Sequence, residues 1–303
     1  MKILIIGFGS IGKRHYEILN SFKNVSLIDI VTKQDIQNIT SFKKLSDIDD
    51  LNSYDYFIIS SQTVSHYEQL KHICSKIENK TILVEKPLYN KKYENIITTN
   101  KVFTAYNLRF NPILVKLKSL LQNTDIYYAN IICGQYLPTW RPSQDYRKSY
   151  SSDITQGGGV LRDLSHELDY TTWLFGKIDY IKSINSKVSD LDINSDDIFT
   201  AVAVTSNKTI VNLTMDYISK VAMRRLIIHT KDYTIEADII SNTLFSYHKD
   251  AKKEEIQIDS CNRNYTYMQM HQAIINNDIE NVCSYEAGKD IVNIIENIEY
   301  KDI

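Results

Sequence analysis

Four groups of residues in this sequence have types and spacings that suit chemistry. Gly7-Phe8-Gly9-Ser10-Ile11-Gly12 fits a GxGxxG turn. Between a buried strand and a helix, its first glycine permits a tight turn and its second lets backbone amides approach a pyrophosphate. Its third lets the helix pack on the strand. Lys86, in Glu85-Lys86-Pro87, follows the apolar run from Thr81 to Val84. A lysine at that end of a parallel strand can donate to a hydroxyl or carbonyl and stabilise a developing alkoxide. His166 stands three residues after Asp163 behind the run Gly157-Gly158-Gly159. Its imidazole can exchange a proton near neutral pH, and Asp163 can orient it or bond a substrate. The fourth group is Trp140-Arg141-Pro142 with Asp145-Tyr146-Arg147-Lys148. Arginine forks suit carboxylate or phosphate, and aromatic rings suit sugar or base faces. Arg141, Arg147, Trp140 and Tyr146 are therefore expected to select an anionic sugar.

These groups need elements to hold them. Lys2 to Ile6, Val25 to Val31, Tyr56 to Ser60, Thr81 to Glu85 and Val102 to Ala105 read as strands alternating with helical patterns, which predicts a parallel α/β sheet. Beyond Tyr106 come a helix from Pro112 to Leu121, a strand from Asp125 to Cys133, and a long loop across Gly134 to Gln156. Segments 178–188, 197–205, 209–217, 224–231 and 233–239 alternate apolar and polar residues and predict an antiparallel meander. Helices over 265–277 and 285–299 close the chain. One helix drawn from Gly159 puts Leu161, Leu164, Leu168 and Phe175 on a core face. Arg162, Asp163, His166, Asp169, Tyr170 and Trp173 then share a polar face, whose tryptophan points to a cleft. The three glycines ahead of it are expected to admit a cofactor or substrate close to the backbone. The boundaries are set at 1–108 for a dinucleotide-binding domain and 109–303 for a substrate domain.

Composition excludes several classes. The 303 residues suffice for two cores. With 35 basic and 37 acidic residues, the net charge of −2 creates no global field for nucleic acid or an acidic membrane. Cys74, Cys133, Cys261 and Cys283 form no CxxC pair and read as reduced core thiols. His166-Glu167-Leu168-Asp169 lacks the second histidine of HExxH, and no bound metal is expected. The apolar run Ile3 to Ile6 is too short for a secretory leader, so a cytoplasmic location is expected.

Taken together, GFGSIGKRH at 7–15, SSQTVSH at 60–66, EKP at 85–87, NLRFNP at 107–112 and GGGVLRDLSHELD at 157–169 resemble the glucose-fructose oxidoreductase, inositol dehydrogenase and MocA (Gfo/Idh/MocA) family, in its motif order. The resemblance implies a Rossmann domain and an α+β domain with a large, mostly antiparallel sheet. The outer face of that sheet often makes subunit contacts, so a homodimer or homotetramer is expected. It implies that Lys86 acts at the substrate hydroxyl and that Ser60, Ser61, Gln62, His66, Glu85, Lys86 and Asn107 lie by the cofactor, with Arg109 toward the substrate. Two departures stand out: Ser61-Gln62 where the family commonly has Thr-Pro, expected to alter only local packing, and the three-residue spacing from Asp163 to His166, where many members have four. The reading is an NAD(P)-dependent oxidoreductase acting on a secondary alcohol or ketone of a sugar, where His166 takes the proton that leaves with the hydride. Its rivals are a dinucleotide-binding sensor without catalysis, and redox-neutral elimination or glycosidic cleavage with recycled cofactor. For the cofactor, a second strand ending at Ile28 makes Asp29 a ribose ligand and favours NAD. One ending at Val31 leaves Thr32 and Lys33 there and favours NADP, the preferred alternative.

Overall fold

The apolar runs of the first third are short and continuous, as strands buried on both faces must be. They form β1 (Lys2–Ile6), β2 (Leu27–Val31), β4 (Tyr56–Ile59), β5 (Thr81–Val84) and β6 (Lys101–Thr104), with the short β3 (Ser41–Phe42). The computed structural model describes residues 1–142, 144–250, 252–258, 262–298 and 300. Helix α1 (Ser10–Asn20) follows β1 and α2 (His66–Cys74) follows β4. In the order β15-β6-β5-β4-β1-β2-β3, only the edge strand β15 (Cys283–Ser284) runs antiparallel to its neighbour. Successive residues face opposite sides. Ile3, Ile5, Tyr56, Ile58 and Leu83 pack on one face, while Leu4, Ile6, Phe57, Ile59, Ile82 and Val84 pack on the other.

Here the domain boundary differs from the sequence reading. The first unit comprises Met1–Phe110 together with Asn262–Asn293, and the second comprises Asn111–Cys261 with Ile294–Ile303. Helix α7 (Tyr265–Asn276) returns because Met270, Ala273 and Ile274 cover the face made by Ile3, Ile5 and Leu83. Helix α8 (Tyr285–Glu296) places Val292 in the opposite core and packs Tyr285, its first residue, against it. A parallel sheet exposes apolar side chains on both faces, so both need cover.

In the second unit, α3 (Pro112–Leu120) precedes β7 (Ile126–Gly134), and α4 (Leu137–Trp140), α5 (Val160–Asp163) and α6 (His166–Phe175) follow. The remaining strands are β8 (Ile178–Ser186), β9 (Ile198–Thr205), β10 (Ile210–Asp216), β11 (Met223–Thr230), β12 (Tyr233–Asp238), β13 (Thr243–His248) and β14 (Lys253–Glu255). The sheet order β14-β13-β12-β11-β7-β10-β9-β8 corrects the simple meander. β7 lies between β10 and β11, parallel to the first and antiparallel to the second. Its Ala129, Ile131 and Cys133 are buried, as an inner strand of a half-covered sheet requires.

Cys74 is half-buried and Cys133 and Cys283 are buried, whereas Cys261 lies outside the described residues, as does Glu299 at the predicted end of the last helix. Among the described residues no helix is long and apolar enough to cross a membrane.

Candidate functional site

The first unit collects its candidate residues along one edge of the parallel sheet. Ile6, Ile59 and Val84 lie in register on β1, β4 and β5. Gly7, Ser60 and Glu85 are therefore the next residues at the C-terminal ends, the edge at which open α/β sheets bind ligands. Gly7 has φ +96°, and a Cβ there would stand 2.6 Å from the Ser61 amide nitrogen. Gly12 is as constrained, since its Cβ would meet the Gly7 carbonyl oxygen at 2.1 Å. Gly9 is different, because nothing lies within 4 Å of the position its Cβ would take. It is also the N-cap of α1, with no side-chain cap and no acidic residue in the first turn. The first amides of a helix need acceptors, and an anionic diphosphate supplies them. The residues at the turn thus fit a dinucleotide.

The strand that decides the ribose position runs to Val31, which pairs with Ile6. Asp29 pairs with Leu4, further down the sheet, and is buried with its carboxylate taking the Tyr54 hydroxyl at 2.6 Å. Thr32 and the exposed Lys33 follow the strand instead. Gln34 ties this segment to the turn through its side-chain amide, which donates to the Phe8 carbonyl at 3.3 Å.

After β4, Ser60 donates to the Gly7 carbonyl at 2.9 Å, and Ser61 donates to Gln69 Oε1 at 2.7 Å. Gln62 has φ −65° and ψ 139°, the backbone a proline would impose, and among the described residues its amide donates no hydrogen bond. Gln62→Pro is therefore expected to raise stability by about 0.4–1 kcal/mol by restricting the unfolded chain, measured by denaturant unfolding. A loss of stability would show that proline does not fit this path. His66 is buried, its ring nitrogens within 3.3 Å of the Pro87, Leu88 and Ser61 carbonyls, so it braces the chain beyond Lys86. Burial pushes its pKa below the ordinary imidazole value, against the opposing pull of those carbonyls. Lys86 is half-buried at the end of β5, and its amide donates to Glu85 Oε2 at 3.1 Å. Asn107 is also buried and donates through its side chain to Thr266 at 2.6 Å, while Arg109 is buried in the same short turn.

In the second unit the single helix drawn from Gly159 is two. It breaks at Leu164, whose φ −96° and ψ 24° end α5, and resumes at His166. The polar face does not survive this break as a solvated surface, because Asp163, Asp169 and Tyr170 are buried and Glu167 is fully enclosed. Leu161, Leu164, Leu168 and Phe175 are buried as the periodicity requires. Of the three glycines ahead of α5, Gly158 and Gly159 are closed in by protein, whereas nothing lies within 4 Å of the Cβ position at Gly157. A Cβ on Gly158 would meet the Tyr150 carbonyl at 2.1 Å, and one on Gly159 would meet Asp196 Oδ1 at 2.0 Å. Asp196 accepts from the Leu161 amide at 2.9 Å, yet burial outweighs that bond and pushes its carboxyl up to about 6.

Asp163 Oδ2 accepts from Ser151 at 2.5 Å and from Tyr217 at 2.6 Å. Neither donor has a local sequence signature, and the sequence reading missed both. Ser151 in turn accepts from Arg141 Nη1 at 3.1 Å, while Nη2 donates to the Tyr150 hydroxyl at 3.3 Å. The Arg141 guanidinium also lies over the Trp140 ring, 4.9 Å from its centroid, and over Tyr150 at 5.2 Å. Among the described residues no carboxylate pairs with it. Arg147 is different, since Asp145 clamps its Nε and Nη2 at 2.9 Å each. The predicted long loop is itself organised into short turns, two of them capped by Asp145 and Asp153. Tyr146 is half-buried, and its hydroxyl accepts from the Asp192 amide at 3.3 Å.

Residues 1–105 match the oxidoreductase family with an NAD-binding Rossmann fold, and residues 116–236 match the GFO/IDH/MocA C-terminal domain. A glucose-6-phosphate 3-dehydrogenase of Bacillus subtilis (strain 168) is 25% identical over 243 residues, which cover 70% of this chain and 66% of the enzyme, just under two thirds of its length. Among solved structures, a UDP-N-acetylglucosamine 3-dehydrogenase from Acidithiobacillus ferrooxidans aligns with a TM-score of 0.75 at 18% identity, covering 97% of this chain and 95% of that one. The WlbA dehydrogenase from Bordetella pertussis, in complex with NADH and UDP-GlcNAcA, also aligns at 0.75, with 14% identity and coverage of 98% and 94%. These two likenesses establish the fold.

Proposed function

The chain belongs to the Gfo/Idh/MocA family of oxidoreductases, and from that premise we propose that it moves a hydride between NADP and a secondary alcohol or ketone carbon of an anionic sugar or nucleotide sugar. The observation that carries the redox reading is the shared edge of the first sheet, where the open Gly9 turn follows β1 and Lys86 follows β5, with only β4 between them. When bound, the nicotinamide supplies or accepts the hydride. Lys86 donates to the substrate oxygen and stabilises the alkoxide that develops there. His166 takes the hydroxyl proton during oxidation and returns it during reduction. Asp163, held by Ser151 and Tyr217, orients the substrate beside it.

The anionic class rests on Arg141, whose fork is pre-organised by two hydroxyls and two rings and is not neutralised by a carboxylate among the described residues. The preference for NADP is supported by β2 running to Val31, so that Thr32 and Lys33 are the residues that follow the strand. The exposed face of the second sheet brings Tyr180, Ile184, Val202 and Ile210 onto neighbouring strands, which supports a homodimer or homotetramer joined there.

The test is a turnover panel of glucose 6-phosphate, UDP-N-acetylglucosamine and their uncharged parent sugars, each with NADP⁺ and NAD⁺. Turnover is expected with an anionic member and NADP⁺. Arg141→Ala is expected to raise its KM by about tenfold to a hundredfold, whereas Arg147→Ala stays within about twofold. Equal turnover of the uncharged sugars, or equal effects of the two substitutions, would remove the anionic reading. Cofactor that co-purifies and returns unchanged after product forms would favour the redox-neutral rival instead.

A further inference from the structure

Four buried side chains of the first unit form an unbroken line of hydrogen bonds that the reaction outlined above does not use. The Tyr56 hydroxyl on β4 lies 3.0 Å from His271 Nδ1 on α7. His271 Nε2 lies 2.8 Å from His15 Nδ1 on α1, and His15 Nε2 lies 3.0 Å from Glu85 Oε1. Glu85 Oε2 then accepts the Lys86 amide. Tyr56, His15 and His271 are fully enclosed.

The inventory of protons gives this line a direction. Among the described residues His271 is the one partner of the Tyr56 hydroxyl. A tyrosine has a single proton to give, and a neutral imidazole has one donor and one acceptor. If Tyr56 donates to His271 Nδ1, then His271 Nε2–H donates to His15 Nδ1 and His15 Nε2–H donates to the Glu85 carboxylate. Every group is satisfied. With the opposite direction, Glu85 would need a proton and the buried Tyr56 proton would have no acceptor, the more costly arrangement.

We propose that His15, His271 and Tyr56 are positioning residues for Lys86, a one-way relay that keeps the Glu85 carboxylate turned onto the Lys86 amide. The relay rests on the reading of Lys86 as the group that meets the substrate oxygen. Burial holds His271 well below the ordinary imidazole range, and burial with Glu85 nearby holds the Tyr56 proton in place. Both effects favour a neutral His271 and a protonated Tyr56, the donor end of the line. Among the described residues, the charged and titratable groups around Glu85 include Lys86 beside it, His15 from α1, Tyr56 from β4, His66 from α2, and His271 and Tyr267 from α7, with Arg14 stacked on Tyr267 at 5.2 Å.

The test uses the full chain. Long-range ¹H–¹⁵N spectra of histidine-labelled protein are expected to show His15 and His271 both neutral and both protonated on Nε2. Tyr56→Phe keeps the ring and removes the donor, so His271 should populate both tautomers. Hydrogen exchange at the Lys86 amide should then accelerate by about tenfold, the scale of one lost bond to a charged group. The Glu85 and Ala105 amides, bonded to the Ile59 and Val84 carbonyls, should stay within about twofold of their own rates. His271→Leu should accelerate the Lys86 amide in the same way. Unchanged Lys86 exchange in both variants, Nδ1-protonated histidines in the parent protein, or equal acceleration at all three amides would overturn the relay. Lys86→Ala that still turns over would instead remove the reaction from Lys86 while the tautomer spectra stand, so the two failures are distinguishable.

Discussion

Lys86→Ala is expected to lower kcat by about two to four orders of magnitude, the range for removing a group that acts on the reacting oxygen. Cofactor affinity should change by no more than about threefold, because the turn that would hold the diphosphate is built from backbone amides elsewhere on the sheet edge. Gly7, Gly9 and Gly12 owe their geometry to close backbone packing and to the start of α1, and Lys86 contributes to neither. Nucleotide binding followed by fluorescence, with turnover measured alongside, separates the two effects. Near-normal turnover would sink the catalytic assignment, and a loss of binding equal to the loss of turnover would recast Lys86 as a cofactor ligand.

The second large effect concerns stability. Glu167, next to His166, is fully enclosed and holds Arg224 at 2.6 Å through Nε and 3.3 Å through Nη2. The Tyr170 hydroxyl adds a bond to the same carboxylate at 3.3 Å. Burial, with the Glu167 charge nearby, pushes the Cys133 thiol far above its ordinary range. Removing one partner of such a pair leaves the other charge uncompensated, so Glu167→Ala should destabilise the second unit by about 3–5 kcal/mol. The measurement is direct because the only two tryptophans, Trp140 and Trp173, both belong to this unit. Their fluorescence during denaturant unfolding reports it without the first unit. A change below about 1 kcal/mol would place the pair among those that contribute little.

Local pattern made the parallel sheet and the glycine turn legible, since Ile3 to Ile6 and Ile82 to Val84 are continuous apolar runs and Gly7 to Gly12 joins strand to helix. The insertion of β7 between β10 and β11 was not legible. Strand order depends on contacts far apart in sequence, and each alternating segment looks the same whichever neighbour it pairs with. The break at Leu164 escaped for a related reason, because a helical period continues through it while the backbone does not. Arg141 and Arg147 looked equivalent until Asp145 was found on one of them and two aromatic rings on the other. His15 stood within the resembling segment at 7–15, but its partner His271 lies 256 residues away, beyond any local spacing.

The return of α7 to the first sheet also orders events at the ribosome. Domains generally assemble from the N-terminus as the chain emerges, but here residues 1–110 emerge with one sheet face still lacking Met270, Ala273 and Ile274. The nascent nucleotide-binding half must wait, partly uncovered, until α7 has been translated. The buried line to Glu85 is completed only when His271 arrives with α7, 256 residues after His15.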